Sequence, residues 1–306
     1  MARLFLAEET ALGRPVVVKV LAPDLAQELS LERFTREIRV SARLQHPNIV
    51  PILTAGVAGG VPYYTMPYVE GESLRGRLKR VPSKERMPVG EALGILSDVA
   101  RALAYAHERG VIHRDVKPEN VLLSRDTAVV TDFGIAKAID GARAAGGGGA
   151  TLTQLGSTVG TPAYMAPEQA SGDPALDQRA DVYAWGVLAY ELLAGEHPFA
   201  GKHSPRELIT AHLVEAPPPL DQARPSLAPG LTMLITRCLA KDLPNAQAAL
   251  ASSSIRSPRL PHQARPPLNM FVQRRNHGFP PSPSFRSRTR AATRRMSRSA
   301  TGSRTS

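Results

Sequence analysis

At 306 residues and 42% hydrophobic content, the chain is long enough to bury a substantial core, which excludes a wholly disordered protein. Its single cysteine, Cys238, cannot form an internal disulfide, which excludes a bridged secreted framework and points to a reducing, cytoplasmic setting. The net charge of +11 resides at one end: the 12 arginines beyond Pro244, with no Lys, Asp or Glu among them, leave −1 for residues 1–244 (+11 minus 12).

The opening MARLFLAEET lacks the basic start, long apolar run and small-residue cleavage site of a signal peptide. Residues 4–7 and the β-branched run 16–21 predict two strands joined by a connection containing Gly13. Leu31, Phe34, Ile38 and Leu44 fall near helical spacing behind an N-cap at Ser30, and His46-Pro47-Asn48 stops that pattern. Residues 49–55 and 62–66 read as strands around a turn at Gly59-Gly60, completing a small β-rich lobe.

After Gly71 the pattern is mainly helical. Residues 89–109 place Leu93, Leu96, Val99 and Leu103 on one face before Gly110 ends the helix. Short strands over 121–123 and 128–131 bracket a turn, and AAGGGGA at 144–150 predicts a mobile loop. Helices resume at 180–194, 205–214 and 231–240. The most apolar stretch, 181–195, is interrupted by Tyr183, Tyr190 and Glu191. It falls short of the ~20 apolar residues of a membrane span and predicts a buried helix. From Asn245 no hydrophobic period survives, and Pro, Ser and Arg dominate, which predicts disorder.

HRDVKPEN at 113–120 and DFG at 132–134 carry the chemistry. Both motifs resemble those of protein kinases, and moving a phosphoryl group needs a carboxylate near the incoming hydroxyl, oxygen ligands for Mg²⁺, and a cation on the non-transferred phosphates. Asp115, Asn120, Asp132 and Lys19 match those roles one by one. A lone Asp115 or Lys117 would read as a solvated loop charge, but eight consecutive matching positions between a helix and a short strand argue against that. DFG by itself is weak, since Asp-Phe-Gly also makes an ordinary turn. Lys19 lies in the apolar run VVVKVL, where a buried ammonium is costly unless paired. Taken singly, Lys19 on an exposed edge strand and Glu37 on a solvated helix face remain open.

With these residues the chain resembles a bacterial Hanks-type serine/threonine protein kinase. The resemblance covers roughly residues 1–243. It implies a two-lobed α+β fold, with a small β-rich N-lobe and hinge over 1–69, a larger helical C-lobe over 70–243, and an arginine-rich tail over 244–306. It implies ATP and Mg²⁺ as cofactors and protein Ser/Thr hydroxyls as acceptors. In that setting Asp115 orients the acceptor hydroxyl, Lys117 sits by the γ-phosphate, Asn120 and Asp132 hold Mg²⁺, and Glu37 pairs with Lys19. YYTMPYVEG at 63–71 resembles the hinge, with Met66 at the rear of the adenine pocket, Pro67 and Val69 at the adenine edge and Val17 over the ring. Core packing explains such apolar positions equally.

GTPAYMAPEQA at 160–170 resembles the segment that closes the activation loop, in which Thr161 would bond Asp115 and Lys117, a serine/threonine-type arrangement. Asp181 in DVYAWG would hold the catalytic loop's backbone, and is also a favourable helix-start charge. Arg114 implies a neutralising phosphate at Thr151, Thr153, Ser157 or Thr158.

Two departures stand out. No GxGxxG is present, so either the true start lies upstream or phosphate-cradling N–H groups are lost. After RCLAKD at 237–242, LPNAQAALASSS replaces the arginine and final helix of the family, which leaves Glu168 without its usual partner. Arginine, proline, alanine and serine without lysine is what a G+C-rich gene yields in a shifted frame. The competing readings are an inactive ATP-binding scaffold and electrostatic nucleic-acid binding by the tail, whose only aromatics are Phe271, Phe279 and Phe285.

Overall fold

The computed structural model describes residues 2–21, 31–80, 86–135 and 162–241. The glycine-rich stretch at 144–150, the hydroxyl residues Thr151, Thr153, Ser157, Thr158 and Thr161, and the arginine-rich tail lie outside the described residues.

The first sheet is built from β1 (Arg3–Glu9), β2 (Arg14–Val20), β3 (Thr54–Ala58) and β4 (Val61–Pro67), all antiparallel in the order β1-β2-β4-β3. Gly13 turns the first hairpin with a φ of 62°, a left-handed value that glycine adopts without steric cost. Helix α1 (Leu31–Ser41) lays Phe34 and Ile38 on a cluster with Leu21, Val50, Tyr64 and Met66. The strand expected over 49–55 starts later, at Thr54. Ile49 bridges instead to Val130, and the Val50 N–H donates to the Val130 carbonyl at 2.9 Å. Pro51 has no N–H with which to continue a ladder.

A two-residue strand, β5 (Glu72–Ser73), precedes α2 (Leu74–Arg80) and pairs with β6 (Val121–Ser124), which in turn pairs with β7 (Thr127–Val130). Nothing so short shows in a hydrophobic pattern. Gly71 enters it with a φ of 145°, where a Cβ would lie 1.9 Å from the Leu123 carbonyl oxygen, so only glycine lets the chain pass. The helical remainder comprises α3 (Val89–His107), α4 (Pro167–Ser171), α5 (Arg179–Ala194), α6 (Pro205–Val214), α7 (Leu220–Ala223) and α8 (Pro229–Cys238).

Helix α5 is the buried helix expected from its composition: every residue from Ala180 to Ala194 is buried. Its Trp185 is fully enclosed and donates its indole N–H to the Leu96 carbonyl at 3.0 Å, so the polar end of a large apolar ring is satisfied inside the core. Cys238 is buried beneath this helix, and burial pushes its thiol up to about 12. No helix among the described residues is long and apolar enough to cross a membrane. The fold is α+β, a sheet-based N-lobe followed by a helical C-lobe, as the resemblance implies.

Candidate active site

The loop 113–120 is fixed from beneath by α5. Asp181, with no solvent exposure, accepts the backbone N–H of His113 at 2.8 Å and of Arg114 at 2.7 Å. His107 also contacts its Oδ2 at 2.7 Å. These bonds hold Arg114 at a φ of 68°, a left-handed conformation that a non-glycine residue keeps only when its surroundings compensate. The His113 ring, fully buried, lies edge-on to Phe133 and places Nε2 2.8 Å from the Thr131 carbonyl. The loop is thereby tied to the DFG segment.

On this base Lys117 donates to both Asp115 oxygens, at 2.8 and 2.7 Å. Asn120 Nδ2 donates to the Asp115 carbonyl at 2.8 Å and to its Oδ2 at 3.0 Å, which leaves the amide oxygen on the far side. The Asn120 carbonyl accepts the Thr131 N–H at 2.9 Å, which brings the end of this loop beside Asp132.

Asp132 also has a left-handed φ, 68°, and its side chain is nearly enclosed. Lys19 Nζ donates to Oδ2 at 2.6 Å, and the Tyr64 hydroxyl donates to Oδ1. Burial pushes the carboxyl up, but the charge and hydrogen bond of Lys19, then the bond from Tyr64, outweigh it and hold Asp132 below its ordinary range. Among the described residues the Lys19 ammonium pairs with Asp132, and Glu37, the partner that the resemblance implies, sits half-buried on α1. Val17, Met66 and Val69 share one apolar cluster, with Val17 opposite Met66 in the β2–β4 register and Pro67 closing β4.

The segment 162–166 is held by residues the sequence did not single out. The Ala163 carbonyl faces two imidazoles, His197 Nε2 at 2.6 Å and His212 Nε2 at 2.8 Å. The His212 Nδ1 lies 2.9 Å from the Tyr183 hydroxyl, and Lys241 donates to that hydroxyl at 2.9 Å. Arg75 spreads its guanidinium over Glu119 at 2.8 Å, Glu191 at 2.7 Å and the Tyr164 hydroxyl. One arginine on α2 thus joins the 113–120 loop, α5 and the 162–166 segment. Gln169 donates to the Arg114 carbonyl at 2.8 Å. Burial raises the Glu168 carboxyl, against the pull of Arg179. Arg114 Nε is buried without a hydrogen-bond partner among the described residues. Thr151, Thr153, Ser157, Thr158 and Thr161 lie outside them.

The protein kinase domain profile matches residues 1–250. The chain is 42% identical over 249 residues to the serine/threonine-protein kinase pkn2 of Myxococcus xanthus, covering 79% of this chain and 29% of that protein. It is 39% identical over 273 residues to the serine/threonine-protein kinase PknB of Mycobacterium leprae, covering 87% of this chain and 42% of that protein. The chain therefore spans well under half the length of these curated relatives. The crystal structure of the Mycobacterium tuberculosis PknI kinase domain superposes with a TM-score of 0.62 at 31% identity, covering 82% of this chain and 89% of that one. With this match spanning both lobes, the chain belongs to the protein kinase domain family, in its bacterial Hanks-type serine/threonine branch.

Proposed function

We propose that the chain transfers the γ-phosphate of Mg-ATP to serine or threonine hydroxyls of proteins. The observation that carries the reading is the meeting of two hydrogen-bonded groups, Asp115 with Lys117 and Asn120, and Lys19 with Asp132, joined by the bond from the Thr131 N–H to the Asn120 carbonyl. Asp115 is the residue that orients the acceptor hydroxyl and takes its proton, and Lys117, bonded to it, is positioned to neutralise charge on the transferred group. Asn120 and Asp132 fit Mg²⁺ by their chemistry: one amide oxygen and one carboxylate kept ionised by its neighbours, both hard oxygen donors. The bound ion would supply charge neutralisation across the phosphates. Lys19, with Glu37 as the partner that the resemblance implies, serves the phosphates from the N-lobe. Val17 and Met66 with the hinge at Pro67 and Val69 form the adenine-facing wall. Protein acceptors and a cytoplasmic setting belong to the same reading, the latter supported by the single, buried Cys238.

Regulation through Arg114 is part of the proposal. Its buried Nε, unpartnered among the described residues, supports a phosphate acceptor at Thr151, Thr153, Ser157 or Thr158, and Thr161 belongs to the same regulatory reading.

Incubation with γ-labelled ATP, Mg²⁺ and a generic basic protein, followed by phosphoamino-acid analysis, tests the reading. Label on serine and threonine and none on tyrosine is expected. Label confined to tyrosine, or none on protein, would contradict it.

A further inference from the structure

Tyr64 has a role that the family pattern does not assign. It stands directly opposite Lys19 in the β2–β4 register, so the two side chains leave neighbouring strands on the same face of the sheet. Both reach the same carboxylate: Lys19 takes Oδ2 of Asp132 and the Tyr64 phenol donates to Oδ1. The Lys19 ammonium also lies 6.0 Å from the Tyr64 ring centroid, so the three groups form one compact cluster. Tyr64 is 1% exposed. A phenol ordinarily ionises near pH 10, so at neutral pH the Tyr64 hydroxyl carries its proton and donates it. Both oxygens of Asp132 are therefore engaged by protein donors.

A carboxylate oxygen that accepts a hydrogen bond has less electron density to offer a cation, and a phenol lying on Oδ1 occupies the space where a cation would approach. We propose that Tyr64 is a positioning residue that holds the Asp132 carboxylate in the cation-free protein and yields Oδ1 when a divalent cation is ligated. The phenol thereby sets the cation concentration at which the site fills. The proposal rests on the reading of Asp132 as a cation ligand. In chemical terms the step exchanges one O–H···O⁻ bond for one metal–oxygen bond, with no change in protonation. Phenylalanine at this position would keep the ring in the apolar cluster with Phe34, Ile38 and Met66 and remove only the competing donor.

The test uses the full chain with Mn²⁺ as the probe, free Mn²⁺ being followed by electron paramagnetic resonance in the presence of ADP. Wild type, Tyr64→Phe and Asp132→Asn are compared, with ADP affinity measured separately in the absence of cation. Tyr64→Phe is expected to bind Mn²⁺ about tenfold more tightly, the scale of one hydrogen bond to a charged group, with cation-free ADP affinity unchanged. Tyr64→Leu, which also removes the hydroxyl, is expected to move in the same direction and guards against a packing effect peculiar to phenylalanine. Unchanged or weaker Mn²⁺ binding in both Tyr64 variants, alongside weakened binding in Asp132→Asn, would overturn the exchange and leave the ligand reading standing. Wild-type Mn²⁺ affinity in Asp132→Asn would overturn the ligand reading and the exchange with it.

Discussion

Asp181 is a single buried carboxylate that fixes two consecutive backbone N–H groups, those of His113 and Arg114, directly before Asp115. Replacing it with alanine would strand both donors in the interior at about 1 to 3 kcal/mol each. Asp181→Ala is therefore expected to lower the melting temperature and to reduce phosphotransfer together, both readable on one preparation. His212 makes a second test at this scale. Burial, then the charges of His197 and Lys241, lower its pKa to about 3 from an ordinary value near 6.5, against the pull of the Ala163 carbonyl. Between those values the unfolded chain binds a proton that the folded chain refuses. The contribution to stability is thus present above about pH 6.5 and is lost as pH falls toward 3, at roughly 1.4 kcal/mol per pH unit. Urea unfolding of His212→Asn at pH 7, 6 and 5 is expected to show a shallower decline than wild type, and parallel declines would contradict the buried neutral imidazole. Tyr64 was open to sequence reasoning as well: it lies two residues before Met66 and so faces the same side of its strand.

At the scale of elements, the strands and helices that line the site follow from local pattern, and the contacts that tie them together do not. The β-branched run of β2 and the apolar stripe of α3 announce themselves by period. The two residues of β5 carry no period, and the strand exists because Gly71 lets the backbone pass against Leu123. The Arg75 fork is equally hidden, since Arg75, Glu119, Tyr164 and Glu191 lie far apart in the chain and meet only after folding. Gly134 links α1 to the DFG turn: at a φ of 73°, a Cβ there would meet the Ser41 hydroxyl oxygen at 2.3 Å. Gly134→Ala is expected to drive the Ser41 hydroxyl out of its present position, in addition to a left-handed backbone cost of about 1 to 2 kcal/mol at the DFG turn. Weaker nucleotide binding by calorimetry, together with a lower melting temperature, would show it. An unchanged affinity would mean that Ser41 can shift without disturbing the nucleotide site.

For the whole molecule, the charge division read from composition bears on partners. Residues 1–244 carry −1 and the cationic excess belongs to the tail, so the net charge of the domain supplies no overall attraction for a polyanion. The fold class and the family were legible because eight consecutive loop residues and DFG must be kept together for the chemistry to work. The Lys19–Asp132 pairing was not, because it depends on how β2 and the DFG turn approach each other across the two lobes. The most direct test of the central claim is a single-turnover measurement of phosphate transfer from labelled ATP by wild type and Asp115→Asn, with ATP binding measured in parallel. Retained binding with transfer slowed by about 10² to 10⁴ is expected of Asp115→Asn. Equal transfer by the two proteins would contradict it.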